Sequence, residues 1–502
     1  MNKQLVTYFL LAAMLAGVSC GSSGTADDTT AADTTETTEA ETTNPYDPGL
    51  PDADYNGETF TFAVRGDGQS FGAWHNHDIK VEEQNGETLN DAVYERTSFI
   101  EDKYNINIDV LWAGETGLSL HDGAMAKTIN QLVLVDDDTV DCILSSPYTT
   151  VGFMMDDYLI DLNTVEHLDL SKPWWDQNAN ESLSFGDKIF FTTGELTYID
   201  NKCAYTVIFS KNMVDMFDID DPYEAVRSGK WTLDKMIADS QKVYSDLNGD
   251  SKMDDKDRYG YISWQDNVFG FIHSAGNQFA VINENGEPEL TLYTERLVNT
   301  WEKVFAFYQS DAQLSLKSNH AYLSSAGDGT FEGTIQYFLE NDQMLYSYAQ
   351  VNTILKLRSS SADFGIIPLP KYDEAQDRYY TTSHGYGTTL MSIPITVKDP
   401  ARSGLILEAF SAKSAEIVTP AFYDITLTGK TVRDEDSKEM LDIIFSTKVY
   451  DIGYFFQWGN LTNRILTAAQ SRNGDIASIY ESAKERALSD LEEAKAIFLT
   501  LE

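Results

Sequence analysis

Polar and apolar residues alternate from Glu58 to Arg65, a period of two that predicts a half-buried strand. At Thr88 the period changes. Leu89, Val93, Thr97, Ile100 and Tyr104 share one face of a helix, with Thr88 before them as a start signal. Ile106, Ile108 and Val110 then alternate again. Strand, helix, strand is the building unit of α/β domains. The changes of period continue with a helix over about 122–134 and strands at 141–145, 188–193 and 204–210. Helices follow at 211–217 and 232–245, then a strand at 259–263, a helix at 294–309 and strands at 364–370 and 392–394. Helices near 400–412, 414–423, 434–447 and 475–499 complete the pattern. No internal repeat is present.

The first fifty residues fit none of these periods. Lys3 precedes an uncharged run from Leu5 to Val18, closed by Ser19-Cys20-Gly21-Ser22. A positive start, a short apolar stretch and small residues at its end make a secretory signal, too short to span a bilayer. The ending resembles the lipobox of bacterial lipoproteins, with Gly17 where that motif usually carries Leu, Val or Ile. The resemblance implies residues 1–20 as a signal peptide and lipidation at Cys20. Residues 21–55 are rich in Ser, Thr, Ala, Asp and Glu and contain no Lys or Arg. A segment of this kind buries too little apolar surface to offset its ordering entropy, so a disordered stalk is expected. The anchored cargo would sit on the outer face of the cell membrane.

Charge narrows the partners. The chain carries 80 Asp and Glu against 36 Lys and Arg, a net −44. A surface this negative repels nucleic acid and anionic headgroups. Apart from Cys20, the cysteines are Cys142 and Cys203, both in apolar runs and read as buried thiols; a disulfide between them is left open. About 450 residues beyond the stalk exceed a single core, so two or more domains are expected.

Several segments carry a resemblance. They are Asn90-Asp-Ala-Val-Tyr-Glu-Arg96 with Ile100-Glu-Asp-Lys-Tyr-Asn105, Gly229-Lys-Trp-Thr-Leu-Asp-Lys-Met236, Phe364-Gly-Ile-Ile-Pro-Leu-Pro-Lys-Tyr-Asp373, and Ser392-Ile-Pro394. In this order, over 55–502, they resemble the sugar-type, lipid-anchored solute-binding proteins of bacterial ABC importers. The resemblance implies an α/β fold: a two-lobed periplasmic-binding-protein-like clamp of type II, each lobe a mixed sheet flanked by helices. It implies lobe one at 56–195 and 365–415, and lobe two at 196–364 and 416–502. It also implies a monomer, capture of a neutral carbohydrate by closure, delivery to ABC permease subunits, and no catalysis. The alternatives are a binder of peptides or other small solutes, a glycan-binding surface adhesin or sensor, and a secreted glycoside hydrolase. No G-x-S-x-G elbow, H-E-x-x-H or P-loop signature occurs.

Candidate chemistry follows in three groups. Sugars present apolar C–H faces and hydroxyl edges, which suit aromatic platforms bordered by carboxylates. Near predicted crossings and strand ends these are Trp74, Glu195, Tyr198, Trp264, Tyr386 and Trp458, then Trp175. Arg65, Asp200 and His384 are further cleft candidates, and Trp231 is assigned to packing. Asp246, Asn248, Asp250, Asp254 and Asp257 fall at positions 1, 3, 5, 9 and 12 of a loop, with the Lys252 carbonyl at 7. That spacing wraps hard oxygens around Ca2+, and the loop resembles those of EF-hands and dockerins, with Ser251 where Gly is usual. A structural calcium is expected. His75 and His77 lack a nearby third ligand and read as a loop.

Overall fold

A computed structural model describes residues 44–67, 73–427, 435–471 and 474–500. Cys20 and most of the expected stalk lie outside them. The compact unit begins at Tyr46. Leu50, Ala53 and Tyr55 pack against the first core, and the Tyr55 amide donates to the Tyr104 carbonyl at 2.9 Å. The expected disordered stalk therefore ends before residue 46, because these three apolar side chains supply a docking face.

Thirteen strands are described. They are β1 (Glu58–Val64), β2 (Ile106–Trp112), β3 (Cys142–Ser145), β4 (Tyr205–Ser210), β5 (Tyr259–Ser263), β6 (Ala280–Ile282) and β7 (Pro288–Leu290). Then come β8 (Gln313–Ser315), β9 (Met344–Gln350), β10 (Phe364–Ile367), β11 (Thr381–Thr382), β12 (Leu390–Ser392) and β13 (Lys448–Val449). The first sheet has the order β12-β3-β1-β2. β1 runs parallel to β2 and β3, and β12 is antiparallel to β3. The helix Thr88–Tyr104 makes the crossover between β1 and β2. It ends at Asn105 in a left-handed conformation, φ 46°, which turns the chain into β2. Phe60, Phe62 and Val64 are fully buried with Ile100, Tyr104 and Phe410.

The second sheet has the order β10-β4-β9-β5-β8. β4 is antiparallel to both β10 and β9, while β9-β5-β8 are parallel. β4 is buried throughout and β9 nearly so, which fits a sheet covered on both faces. Helices lie on each sheet's flanks, and several begin with the caps their sequences offer. Thr232 accepts from the Lys235 amide, Thr294 from Leu297 and Asp399 from Arg402. Trp231 packs with no exposure and donates to the Pro368 carbonyl at 2.8 Å.

The chain crosses through 192–204 and returns between β11 and β12. It reaches the second sheet again between the helix Pro400–Lys413, which packs in the first core, and the helix Glu435–Ser446, which packs in the second; β13 follows and pairs in parallel with β11. Three boundaries differ from expectation. The β-pairing of the segment 188–193 is by single bridges, Phe185 with Lys188 and Thr192 with Met391, so it is a crossing segment and not a ladder strand. β10 pairs with β4 in the second sheet, so the return to the first sheet comes after residue 367 and not at 365. The helix Ile476–Thr500 is not confined to the second lobe. Its Phe498 stacks on Phe185 at 3.9 Å and meets Phe190 edge-on, both within the range expected for lobe one. Cys142 and Cys203 are free, buried thiols, which resolves the question of a disulfide between them.

Candidate functional site

In open α/β sheets ligands bind beyond the carboxyl ends of the parallel strands. Here those ends converge. β1 leads into Arg65, β3 into Pro147 and Tyr148, and β5 into Trp264 and Asp266. The antiparallel strand β4 places its first residue, Tyr205, at the same end, and Tyr348 of β9 stands beside it with ring centroids 4.9 Å apart. The loop 383–388, between β11 and β12, lies between these groups.

Asp266 is the hub. Its Oδ2 accepts from Tyr205 Oη at 2.9 Å, Tyr348 Oη at 3.4 Å and His384 Nε2 at 3.0 Å. Burial raises the pKa of both tyrosines well above the usual value, so they remain neutral donors. The Gly387 amide donates to His384 Nδ1 at 2.7 Å. That bond needs a bare Nδ1, which puts the imidazole proton on Nε2, facing Asp266. Gly387 cannot be larger. A Cβ there would lie 2.8 Å from Cys203 Sγ, 3.0 Å from His384 Nδ1 and 3.5 Å from Trp74. A Cβ on Gly385 would sit 2.6 Å from Tyr148 Oη. The two glycines let the loop press His384 into the junction.

Arg65 is 3 % exposed, yet its charge is placed. Nη1 donates to the Tyr386 carbonyl at 2.7 Å, the guanidinium lies 4.0 Å from the Tyr386 ring centre, and Nε faces Glu115 at 3.4 Å. Glu115 also holds His75. Trp74 completes the group, its ring 6.4 Å from His384. The result is a partly exposed set of aromatic faces around Asp266, with Glu115 beside Arg65 and contributions from both sheets. Such a set can stack on an apolar ring face and accept hydrogen bonds from hydroxyls.

Of the seven ligand candidates read from sequence, Trp74 and Tyr386 fall in this group, with Arg65 and His384. Trp264 is close in sequence to Asp266 but turns towards Phe331 and borders a separate cavity of about 30 Å3. Glu195 and Trp175 line a different cavity of about 270 Å3 behind the crossings, with Asp176, Asp200, Tyr423 and Lys448. Its charges are largely spent on one another. Lys448 Nζ lies 2.5 Å from Asp200 and 3.0 Å from Asp176, and Tyr450 donates to Asp176 at 2.8 Å. Burial alone would lower the Lys448 pKa; the two aspartates outweigh it and hold the ammonium charged. Glu195 accepts from Thr419, and burial raises its pKa. Trp175 is 1 % exposed and its indole donates to Glu408 at 2.9 Å, a packing role in place of the expected ligand contact. Trp458 is likewise a core residue, its ring tilted against Phe456 with centroids 5.0 Å apart. Tyr198 stacks on Phe422 at 5.1 Å, away from the junction group. Asp266, Tyr205 and Tyr348 escape sequence reading because their numbers lie far apart: the two tyrosines sit in largely apolar runs, and Asp266 lies in Gln265-Asp-Asn267 with no motif around it.

The loop 246–257 is wound on its own amides. Asp246 accepts from the Gly249 and Ser251 amides at 2.6 and 2.8 Å, and Asp257 from Leu247 and Asp254, both at 2.8 Å. Ser251 adopts φ 65°, the left-handed conformation for which glycine is usual at that position. Among the described residues no three His, Cys, Asp or Glu side chains are gathered closely enough to hold a metal ion. His75 is buried in its loop beside Glu115, and the His77 ring faces Trp112 at 4.8 Å.

No family model matches the sequence, and no curated protein matches it. Solved structures do match in fold. A cyclo/maltodextrin-binding protein complexed with maltotetraose aligns at TM-score 0.53 and 12 % identity, covering 87 % of this chain and 96 % of its own. A sugar transporter from Rhizobium etli, in an open conformation, aligns at TM-score 0.51 and 13 % identity, covering 88 % and 100 %. The GacH receptor of Streptomyces glaucescens, known unliganded and with acarbose, aligns at TM-score 0.50 and 10 % identity, covering 89 % and 100 %. The chain therefore has the two-lobed α/β binding-protein fold. Among the described residues no helix is long and apolar enough to cross a membrane.

Proposed function

We propose that this protein is the substrate-binding component of an ABC importer and captures a neutral carbohydrate by clamp closure. The observation that carries the reading is the junction group. Trp74 and Tyr386 offer ring faces, Asp266 offers an acceptor, and the contributing residues come from both sheets of a fold shared with sugar-binding proteins. A ligand bridging both sheets favours the closed state by its differential contacts there. Binding without catalysis belongs to the same reading, in line with the fold shared with binding proteins.

The remaining parts belong to the same proposal. Cys20 carries the lipid, the acidic stalk spaces the clamp from the membrane, and the monomer meets permease subunits there. A structural Ca2+ in the 246–257 loop belongs to the same proposal on the spacing of its five oxygen side chains, of which Asp246 and Asp257 would have to turn from the loop's amides to take the ion. The test of the central claim is calorimetry with neutral oligosaccharides on the wild type and W74A. The variant is expected to lose at least about tenfold in affinity, the ~1.4 kcal/mol of a lost stacking face. Unchanged affinity would remove Trp74 from the site.

A further inference from the structure

The charge of the junction is unbalanced. Among the described residues no Lys or Arg pairs with Asp266; the basic side chain on it is the imidazole of His384. His384 accepts at Nδ1 from Gly387, so its neutral form suits the site and an imidazolium would break that bond. Arg65, the charged donor of the junction, is committed to Glu115 and the Tyr386 carbonyl. Asp266 is thus held by neutral donors alone, and all of them meet Oδ2. Its Oδ1 is shut from solvent with no partner. A buried carboxylate oxygen without a donor calls for an occupant that the protein does not itself supply. Only a hydrogen-bond donor can fill that role; a second carboxylate would add repulsion in a partly desolvated site.

We infer that Asp266 sets the charge class of the ligand, admitting saccharides that present a hydroxyl or an ammonium group and rejecting those that present a carboxylate. This rests on the carbohydrate-clamp reading. A rival occupant for Oδ1 is a single water.

The experiment compares three forms of one ligand by titration calorimetry. They are the tightest neutral oligosaccharide found in a panel, its 6-carboxylate analogue with the primary alcohols oxidised, and its 2-amino analogue. At about 20 mM salt the carboxylate form is expected to bind the wild type at least about tenfold more weakly than the neutral form, and the amino form no more weakly. In D266N the carboxylate gap is expected to close to within about threefold. If D266N does not fold, D266S carries the same comparison, since it too removes the charge at this position. Equal binding of the carboxylate form, or a gap that neither variant changes, would overturn the inference and leave Oδ1 to water. Failure of every saccharide to bind would instead overturn the carbohydrate reading beneath it.

Discussion

Glu408 shows how much one buried carboxyl can govern. It is 1 % exposed and takes the indole N–H groups of Trp174 and Trp175 at 3.0 and 2.9 Å. Burial pushes its pKa up to about 7, against the opposing pull of those donors. A raised folded-state value means that the native protein holds a proton the unfolded chain has released. Stability from this group is therefore complete below about pH 4.5 and falls as pH rises towards 7, by an order of ~3 kcal/mol. Melting scans from pH 5 to 8 should show the decline, and E408Q should flatten it. A melting temperature that rises over this range would contradict the assignment. Two tryptophans make a second contrast. W458A should cost ~3–5 kcal/mol by opening the core, whereas W74A, at a partly exposed ring, should cost far less. Chemical denaturation of both variants checks this. Trp231 was legible as a packing residue because it precedes a helix cap. Trp175 and Trp458 were not, since an indole in a loop looks the same in sequence whether it faces ligand or core.

At the scale of elements, the crossings carry the strongest electrostatics. Lys448 on β13 joins Asp200 of the first crossing to Asp176, which caps the helix Gln177–Leu183. Replacing Lys448 by Met leaves two buried carboxylates facing each other and should destabilise by ~3–5 kcal/mol; D176N/D200N added to K448M should recover much of that. A full-strength K448M would show that the cluster bears no load. The 246–257 loop makes its own prediction. Calcium at a hundred times its dissociation constant should add about 2.7 kcal/mol of stability, and D250A/D254A should abolish the gain. A magnesium-insensitive, calcium-insensitive melt would remove the ion. A strand with a clear period, such as β2, could be read directly, because Asn107 and Asp109 are exposed between buried Ile106 and Ile108. β9 could not. Met344-Leu-Tyr-Ser-Tyr-Ala-Gln350 is buried on both faces, so no alternation marks it. Tyr348, a part of the junction, was lost with it.

For the whole molecule, order along the chain gave the fold and geometry gave the site. Motifs spread from Asn90 to Pro394 pointed to a two-lobed clamp, and the fold comparison agrees at 10–13 % identity. The junction assembles residues 65, 74, 205, 266, 348 and 384, which no local pattern links. The mixed packing of the C-terminal helix against Phe185 was equally hidden, since a period of 3.6 reports a buried face and not its partner. If the clamp reading holds, a bound ligand should compact the protein, and small-angle scattering with and without ligand reads that change. The most direct test of the central claim is thermal unfolding of the purified protein against panels of oligosaccharides, peptides and amino acids. The account predicts a clear rise in melting temperature with one class of neutral oligosaccharide, about 2.7 kcal/mol at a hundred times the dissociation constant. A rise with peptides or amino acids and none with any saccharide would contradict it.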